Sequence, residues 1–166
     1  MIVWGVTGWK NAGKTTLVEG LLRALTARGL TVSTLKHSHH GFDVDQPGRD
    51  SHRHREAGAA EVLVASSLRW ALMRELREAA EPSLTELLAR LSPCDVVLVE
   101  GWKREAHSKI EAWRPSVDRP PLACETETVK AVATPGAVAS GAAQPHLDLD
   151  APEAIADFLI SADAPA

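Results

Sequence analysis

The chain has 166 residues, 45% of them hydrophobic and 24% charged, the make-up of a globular domain large enough to bury its own core. A formal charge of −4 argues against a general nucleic-acid or membrane-surface binder, because such partners reward a basic stripe, so neither partner is expected. Cys94 and Cys124 fit no C-x-x-C or zinc-ligand spacing and read as reduced thiols of a cytoplasmic protein, and no run approaches the ~18 apolar residues of a membrane span.

Ile2 to Thr7 is a short apolar, β-branched run that reads as a strand. It leads into Gly8-Trp9-Lys10-Asn11-Ala12-Gly13-Lys14-Thr15, which fits the phosphate-binding pattern G-x-x-x-x-G-K-[ST] at every fixed position. Gly8 and Gly13 permit a backbone path on which successive N–H groups turn inward as an anion nest. Lys14 adds a mobile charge for β/γ oxygens, and the Thr15 hydroxyl is placed to ligate Mg²⁺. Leu17, Val18, Leu21, Leu22 and Leu25 then share one helical face, and Gly29 is the expected stop.

Leu30 to Leu35 reads as a second strand, followed by a long loop from Lys36 to Gly48. Asp50 or Ser51 starts a short helix ending near Ala57 and Gly58, Glu61 to Ser66 returns as a strand, and Arg69 to Met73 pairs beside it. Ser83 to Glu86 is a capping box, and Leu84, Leu87, Leu88 and Leu91 continue at helical spacing. Asp95 to Glu100 holds four consecutive apolar residues, the mark of a central parallel strand covered on both faces. Ile110 to Trp113 and Val129 to Ala133 are further strands, separated by the Pro-rich stretch Arg114 to Pro121. The Ala/Gly-rich segment 133–143 has no clean period, and Asp150 to Glu153 is expected to cap a closing helix carrying Ile155, Phe158 and Leu159. Alternating strands and helices imply one α/β domain with an open, mainly parallel sheet flanked by helices, of the P-loop NTPase type.

Such a protein needs a second carboxylate near Mg²⁺. Ligands lie beyond the carboxyl ends of parallel strands, and at ~3.3 Å per residue Asp95 falls roughly 16 Å short of that edge. Glu100 is therefore the metal-side acid, and Asp95 a turn residue. Five of seven histidines lie between His37 and His54, but their spacing suits zinc poorly. The better reading has Lys36, His37, Asp43 and Asp45 in a loop facing the nucleotide, with Arg49, Arg53 and Arg55 available to an anion. Asp45 to Gly48 matches D-x-x-G but reads as a turn. Trp9 and Trp102 border the site, while Trp4 and Trp113 belong to the core.

The P-loop, Thr34 to His40, Arg49 to Ala59, Ser67 to Glu75 and Val97 to Lys103 together resemble the molybdopterin-guanine dinucleotide biosynthesis protein B (MobB) family, most specifically in the run His52 to Ala59. The likeness spans Met1 to about Ile160, includes Leu147 to Asp150, and is weakest from Arg114 to Gly141. It implies a homodimeric GTP-binding protein with slow, Mg-dependent hydrolysis, assisting the guanylyltransferase that attaches GMP to molybdopterin, with a molybdopterin-type ligand as a further partner. The family's P-loop falls on Asn11, Ala12, Gly13, Lys14, Thr15 and Thr16, and its acidic strand end on Glu100. No lysine is followed two residues later by Asp, so guanine is not read by the [NT]-K-x-D motif. The alternative reading is a small P-loop kinase passing a γ-phosphate to a metabolite or nucleoside, with the Arg49 to Arg55 cluster as its lid.

Overall fold

The computed structural model describes residues 1–38 and 41–163, so His39 and His40 of the histidine-rich loop lie outside the described residues. The chain forms two compact units, one of Met1–His37 with Leu88–Ala166 and one of Ser38–Leu87.

The first unit is built on a six-stranded sheet in the order β2-β5-β1-β6-β7-β8, where β1 is Ile2–Thr7, β2 Val32–Lys36, β5 Val96–Glu100, β6 Lys109–Ala112, β7 Val129–Thr134 and β8 His146–Asp148. Every pairing is parallel. The expected open parallel α/β sheet is therefore present. β5 lies between β1 and β2, which explains why Val96 to Val99 are all buried: a central strand covered on both faces has no solvent side to reserve for polar residues.

Helix α1, Lys14–Ala27, buries Leu17, Leu21 and Leu25 as its apolar stripe requires. It closes in a Schellman motif: Gly29 N–H reaches Thr26 O at 2.9 Å, and Leu30 N–H reaches Leu25 O at 3.3 Å. That use of Leu30 explains why β2 starts at Val32 and not at Leu30. Helix α4, Pro152–Ala162, packs Ile155, Ala156 and Leu159 into the same core, and Phe158 meets Trp4 edge-on with centroids 6.1 Å apart.

Three elements differ from what the sequence led one to expect. Asp150 does not cap α4; Ala151 is the N-cap, no side chain caps it, and Pro152 at the first helical position needs no N–H partner. Strand β6 begins at Lys109, one residue earlier than expected, and stops at Ala112. The segment after β7 holds a 3₁₀ turn, Pro135–Ala137, and then the unforeseen edge strand β8.

The second unit contains α2, Asp50–Glu56, and an antiparallel hairpin of β3, Glu61–Ala65, with β4, Trp70–Arg74. Register pairs Leu63 with Leu72 and Ala65 with Trp70, so these residues share one face, and Leu63, Trp70 and Leu72 are 60%, 67% and 44% exposed. Helix α3, Leu84–Leu88, starts from the expected reciprocal capping box, with Ser83 N–H to Glu86 Oε2 at 2.8 Å and Glu86 N–H to Ser83 Oγ at 3.2 Å. It stops short of Leu91, whose N–H turns back to Leu88 O at 3.2 Å.

Candidate functional site

The loop between β1 and α1 has the torsions its glycines were expected to supply. Gly8 has φ 138°, Asn11 64° and Gly13 100°. A Cβ at Gly8 would lie 2.3 Å from the Ala112 carbonyl oxygen, so the loop can pass the end of β6 only as glycine. Ala12 is fully buried beneath the loop, and Lys14 and Thr15 open α1 with Thr16. Lys14 Nζ donates to Trp9 O at 2.7 Å across the loop. Burial lowers the Lys14 pKa, the positive charges of Lys103 and Lys36 lower it further, and Glu100 opposes them. An anion in the loop would relieve that depression.

On the β5 side, Glu100 ends its strand at the sheet's carboxyl edge, beside Val6 of β1 and Lys36 of β2. Its Oε1 accepts from Thr15 Oγ1 at 3.4 Å and lies 3.7 Å from Lys36 Nζ. A hydroxyl and a carboxylate held together are oxygen donors of the kind Mg²⁺ takes alongside phosphate oxygens and water, so these residues fit that ion. His37 follows β2, donates its N–H to Glu100 O at 2.9 Å, and stacks obliquely on Trp102 with centroids 4.9 Å apart. Asp95 lies at the other end of β5, where its Oδ2 accepts from Thr31 N–H and Thr31 Oγ1, both at 2.7 Å. Those bonds hold its pKa below the usual carboxylate range and give Asp95 a structural task.

On the β6 side, Trp9 donates Nε1–H to Pro120 O at 2.9 Å, with Lys103 Nζ and the Arg119 guanidinium carbon each 4.7 Å from its ring centroid. Sequence reasoning missed Glu111, which is fully buried in β6 beside Thr7. Its two oxygens accept the N–H groups of Leu122 and Ala123, both at 2.8 Å, which ties down the far end of the Pro-rich stretch. Burial raises its pKa, against the pull of those donors and of Lys103. Alternation could have flagged it only as a polar residue in an otherwise apolar strand. Trp4 is core, and Trp113 packs partly buried on Ala123, Val129 and Val132.

In the second unit, Arg55 is the hub of an ion cluster. It donates from Nη1 to Asp43 Oδ1 at 2.8 Å, from Nη2 to Asp43 Oδ2 at 3.1 Å, from Nη1 to Asp45 Oδ2 at 3.4 Å and from Nε to Glu75 Oε1 at 2.7 Å. Asp45 also accepts from Ser51 Oγ at 2.8 Å and from Gln46 N–H at 3.0 Å, the turn expected there. Arg53 lies 3.6 Å from Asp50. Among the described residues no three His, Cys, Asp or Glu side chains are assembled as a metal site.

The sheet order and the glycine-bounded loop between β1 and α1 put the chain among proteins of the P-loop NTPase fold. Comparison narrows the class. The model of the MobB family, described as molybdopterin guanine dinucleotide synthesis protein B, matches residues 3–135. A molybdopterin-guanine dinucleotide biosynthesis adapter protein of Escherichia coli (strain K12) is 42% identical over 155 residues, 92% of this chain and 87% of that protein. One of the same description from Haemophilus influenzae is 44% identical over 133 residues, covering 78% and 72%. The crystal structure of a MobB protein homolog from Bacillus stearothermophilus superposes with a TM-score of 0.68 at 27% identity, over 98% of this chain and 97% of that one. The chain belongs to the MobB family.

Proposed function

We propose that this protein is a GTP-binding adapter of molybdopterin-guanine dinucleotide biosynthesis. It hydrolyses GTP slowly with Mg²⁺ and assists the guanylyltransferase that attaches GMP to molybdopterin. The pathway and the adapter role come from the relatives named above. The observation that carries nucleotide binding is the loop itself. Three residues of positive φ, Gly8, Asn11 and Gly13, lead into α1, and the Thr15 hydroxyl meets the carboxylate of Glu100.

In this reading Gly8, Asn11, Ala12, Gly13, Lys14, Thr15 and Thr16 hold the phosphates through backbone N–H groups and the lysine charge. Thr15 and Glu100 hold Mg²⁺, which when bound neutralises phosphate charge. Lys36 and His37 flank the acid. An adapter needs no fast turnover. The kinase alternative asked the Arg49 to Arg55 cluster to form a lid, and the pairing of Arg55 with Asp43, Asp45 and Glu75 and of Arg53 with Asp50 favours scaffolding instead. Homodimerisation belongs to the same reading, supported by the exposed apolar hairpin face of Leu63, Trp70 and Leu72. No helix among the described residues is long and apolar enough to cross a membrane.

Competition calorimetry with Mg²⁺ tests the proposal: GTP binds more tightly than ATP, and phosphate release is slow until the guanylyltransferase is added. ATP displacing GTP at equal concentration would remove guanine from the account.

A further inference from the structure

We propose that Arg114 is a phosphate-binding residue of this site, gripping the nucleotide's phosphate chain from the side of the P-loop opposite the metal. The inference rests on the P-loop reading above and adds a ligand that the signature of the loop does not contain.

Three observations carry it. A Cβ at Gly13 would lie 3.3 Å from Arg114 Nε and 3.4 Å from its Nη2, so the edge of the guanidinium lies against the last glycine of the loop. Arg114 is half-buried, yet among the described residues its guanidinium has no hydrogen bond and no ion pair. A partly desolvated cation ordinarily finds a carboxylate or carbonyl, because leaving it unpaired costs free energy. Glu100, the carboxylate that meets Thr15, is on the other flank: β5 and β6 lie on opposite sides of β1, with Glu100 ending the first and Arg114 following the second.

The chain around Arg114 is also fixed before any ligand arrives. Trp113 N–H donates to Ala133 O at 2.9 Å, which extends the strand contact to the residue next door. Pro115 restricts the Arg114 backbone to extended conformations. Val117 N–H returns to Arg114 O at 2.9 Å, Trp113 Nε1–H reaches Arg119 O at 3.0 Å, and Glu111 anchors the segment's end at Leu122 and Ala123. A planar, permanently charged fork with no partner, carried on a fixed backbone beside the phosphate loop, suits the oxygens of a di- or triphosphate. The division of labour is then two-sided. Thr15 and Glu100 act through Mg²⁺ on one flank, and Arg114 acts directly and without metal on the other.

The test is calorimetry of GTP, GDP and guanosine, with Mg²⁺ and with chelator, on the unmodified chain, Arg114→Ala, Arg114→Gln and Lys14→Ala. Both Arg114 variants are expected to lose about tenfold to a hundredfold in GTP and GDP affinity, by the same factor with and without Mg²⁺, with guanosine unaffected. A second measurement needs no variant. Butanedione modification of Arg114, followed by peptide mass spectrometry, should slow several-fold with GDP, while that of exposed Arg90 does not change. GDP affinity equal to that of the unmodified chain in either folded variant, or a modification rate indifferent to GDP, overturns the role of Arg114 while leaving the P-loop reading intact. If the unmodified chain and Lys14→Ala bind GTP equally, the P-loop reading itself fails and Arg114's role falls with it.

Discussion

The segment from Asp43 to Glu56 and the segment from Trp113 to Pro121 each present arginine, and they treat it oppositely. Arg55 is wrapped by Asp43, Asp45 and Glu75, and its pKa is raised by the bonds to Asp43 and Glu75. Arg114 rests on Gly13 with no partner of its own. A saturated cation has spent its hydrogen bonds on the fold, whereas an unsaturated one beside an anion nest is preorganised for a ligand. Lys14 stands between the two: its Nζ donates to Trp9 O at 2.7 Å, yet burial and the neighbouring charges of Lys103 and Lys36 depress its pKa, and Glu100 only partly compensates.

The largest effect that would sharpen this contrast is expected at Lys14. Lys14→Ala should reduce GTP affinity far more than GMP affinity, because the side chain's charge is directed at β/γ oxygens and a charge-assisted contact is worth ~1.5–3 kcal/mol. Equal losses for both nucleotides, measured by calorimetry, would move Lys14 to the scaffold class.

A smaller effect separates the two arginines in the absence of nucleotide. Arg55→Ala should lower the Tm by several degrees, since three carboxylates lose their counter-ion. Arg114→Ala should leave the Tm nearly unchanged, having no bonds to forfeit. The Arg55 effect has a pH signature. The bonds from Arg55 and the Asp45 N–H hold Asp43 below its usual pKa; at Asp45 burial pushes upward, but the Ser51, Gln46 and Arg55 bonds outweigh it. A carboxylate with a depressed folded pKa contributes stability above about 3.8 that is lost as pH falls through the folded value, so the two melting curves should converge in acid. A pH-independent difference would break the assignment of Arg55 to an ion cluster.

The smallest predicted effect is at His107, a buried imidazole whose two nitrogens have no described partner. Burial, and then Lys109, lower its pKa from 6.5 to about 4. Between those values the unfolded chain binds more protons than the folded one, so stability falls as pH drops from 6.5 toward 4. Glu111, with its raised pKa, contributes the opposite slope above about 4.5, equally in both proteins. His107→Gln should therefore flatten the loss on the acid side relative to the unmodified chain, and parallel curves would contradict a neutral buried His107.

Much of this was legible in the sequence because the signals were local. The glycine pattern marked the loop from Gly8 to Gly13, the uninterrupted run Val96 to Val99 marked a doubly covered strand, and distance along that strand separated Glu100 from Asp95. The illegible parts depend on pairing across sequence. β8 is three residues with Leu147 as its one apolar side chain, too short to show a period. The Pro-rich stretch from Arg114 to Pro121 carries no periodicity, so nothing announced that Glu111 would anchor it or that Arg114 would reach Gly13. The arginines near Arg55 were conspicuous by composition, yet whether a cation is paired depends on carboxylates at Asp43, Asp45 and Glu75 that only folding brings to it.

The proposed function makes the loop and the end of β5 one Mg–triphosphate site, which a Mg²⁺ titration on Glu100→Gln reads out. The substitution keeps size and hydrogen-bonding capacity while removing the charge. GTP affinity and phosphate release should be measured across the titration for both proteins. The prediction is that GTP still binds the variant through the loop amides and Lys14, while the Mg²⁺-dependent gain in affinity and hydrolysis is weakened. Superimposable curves for the unmodified protein and Glu100→Gln would contradict the claim and make the acid at the end of β5 a structural residue.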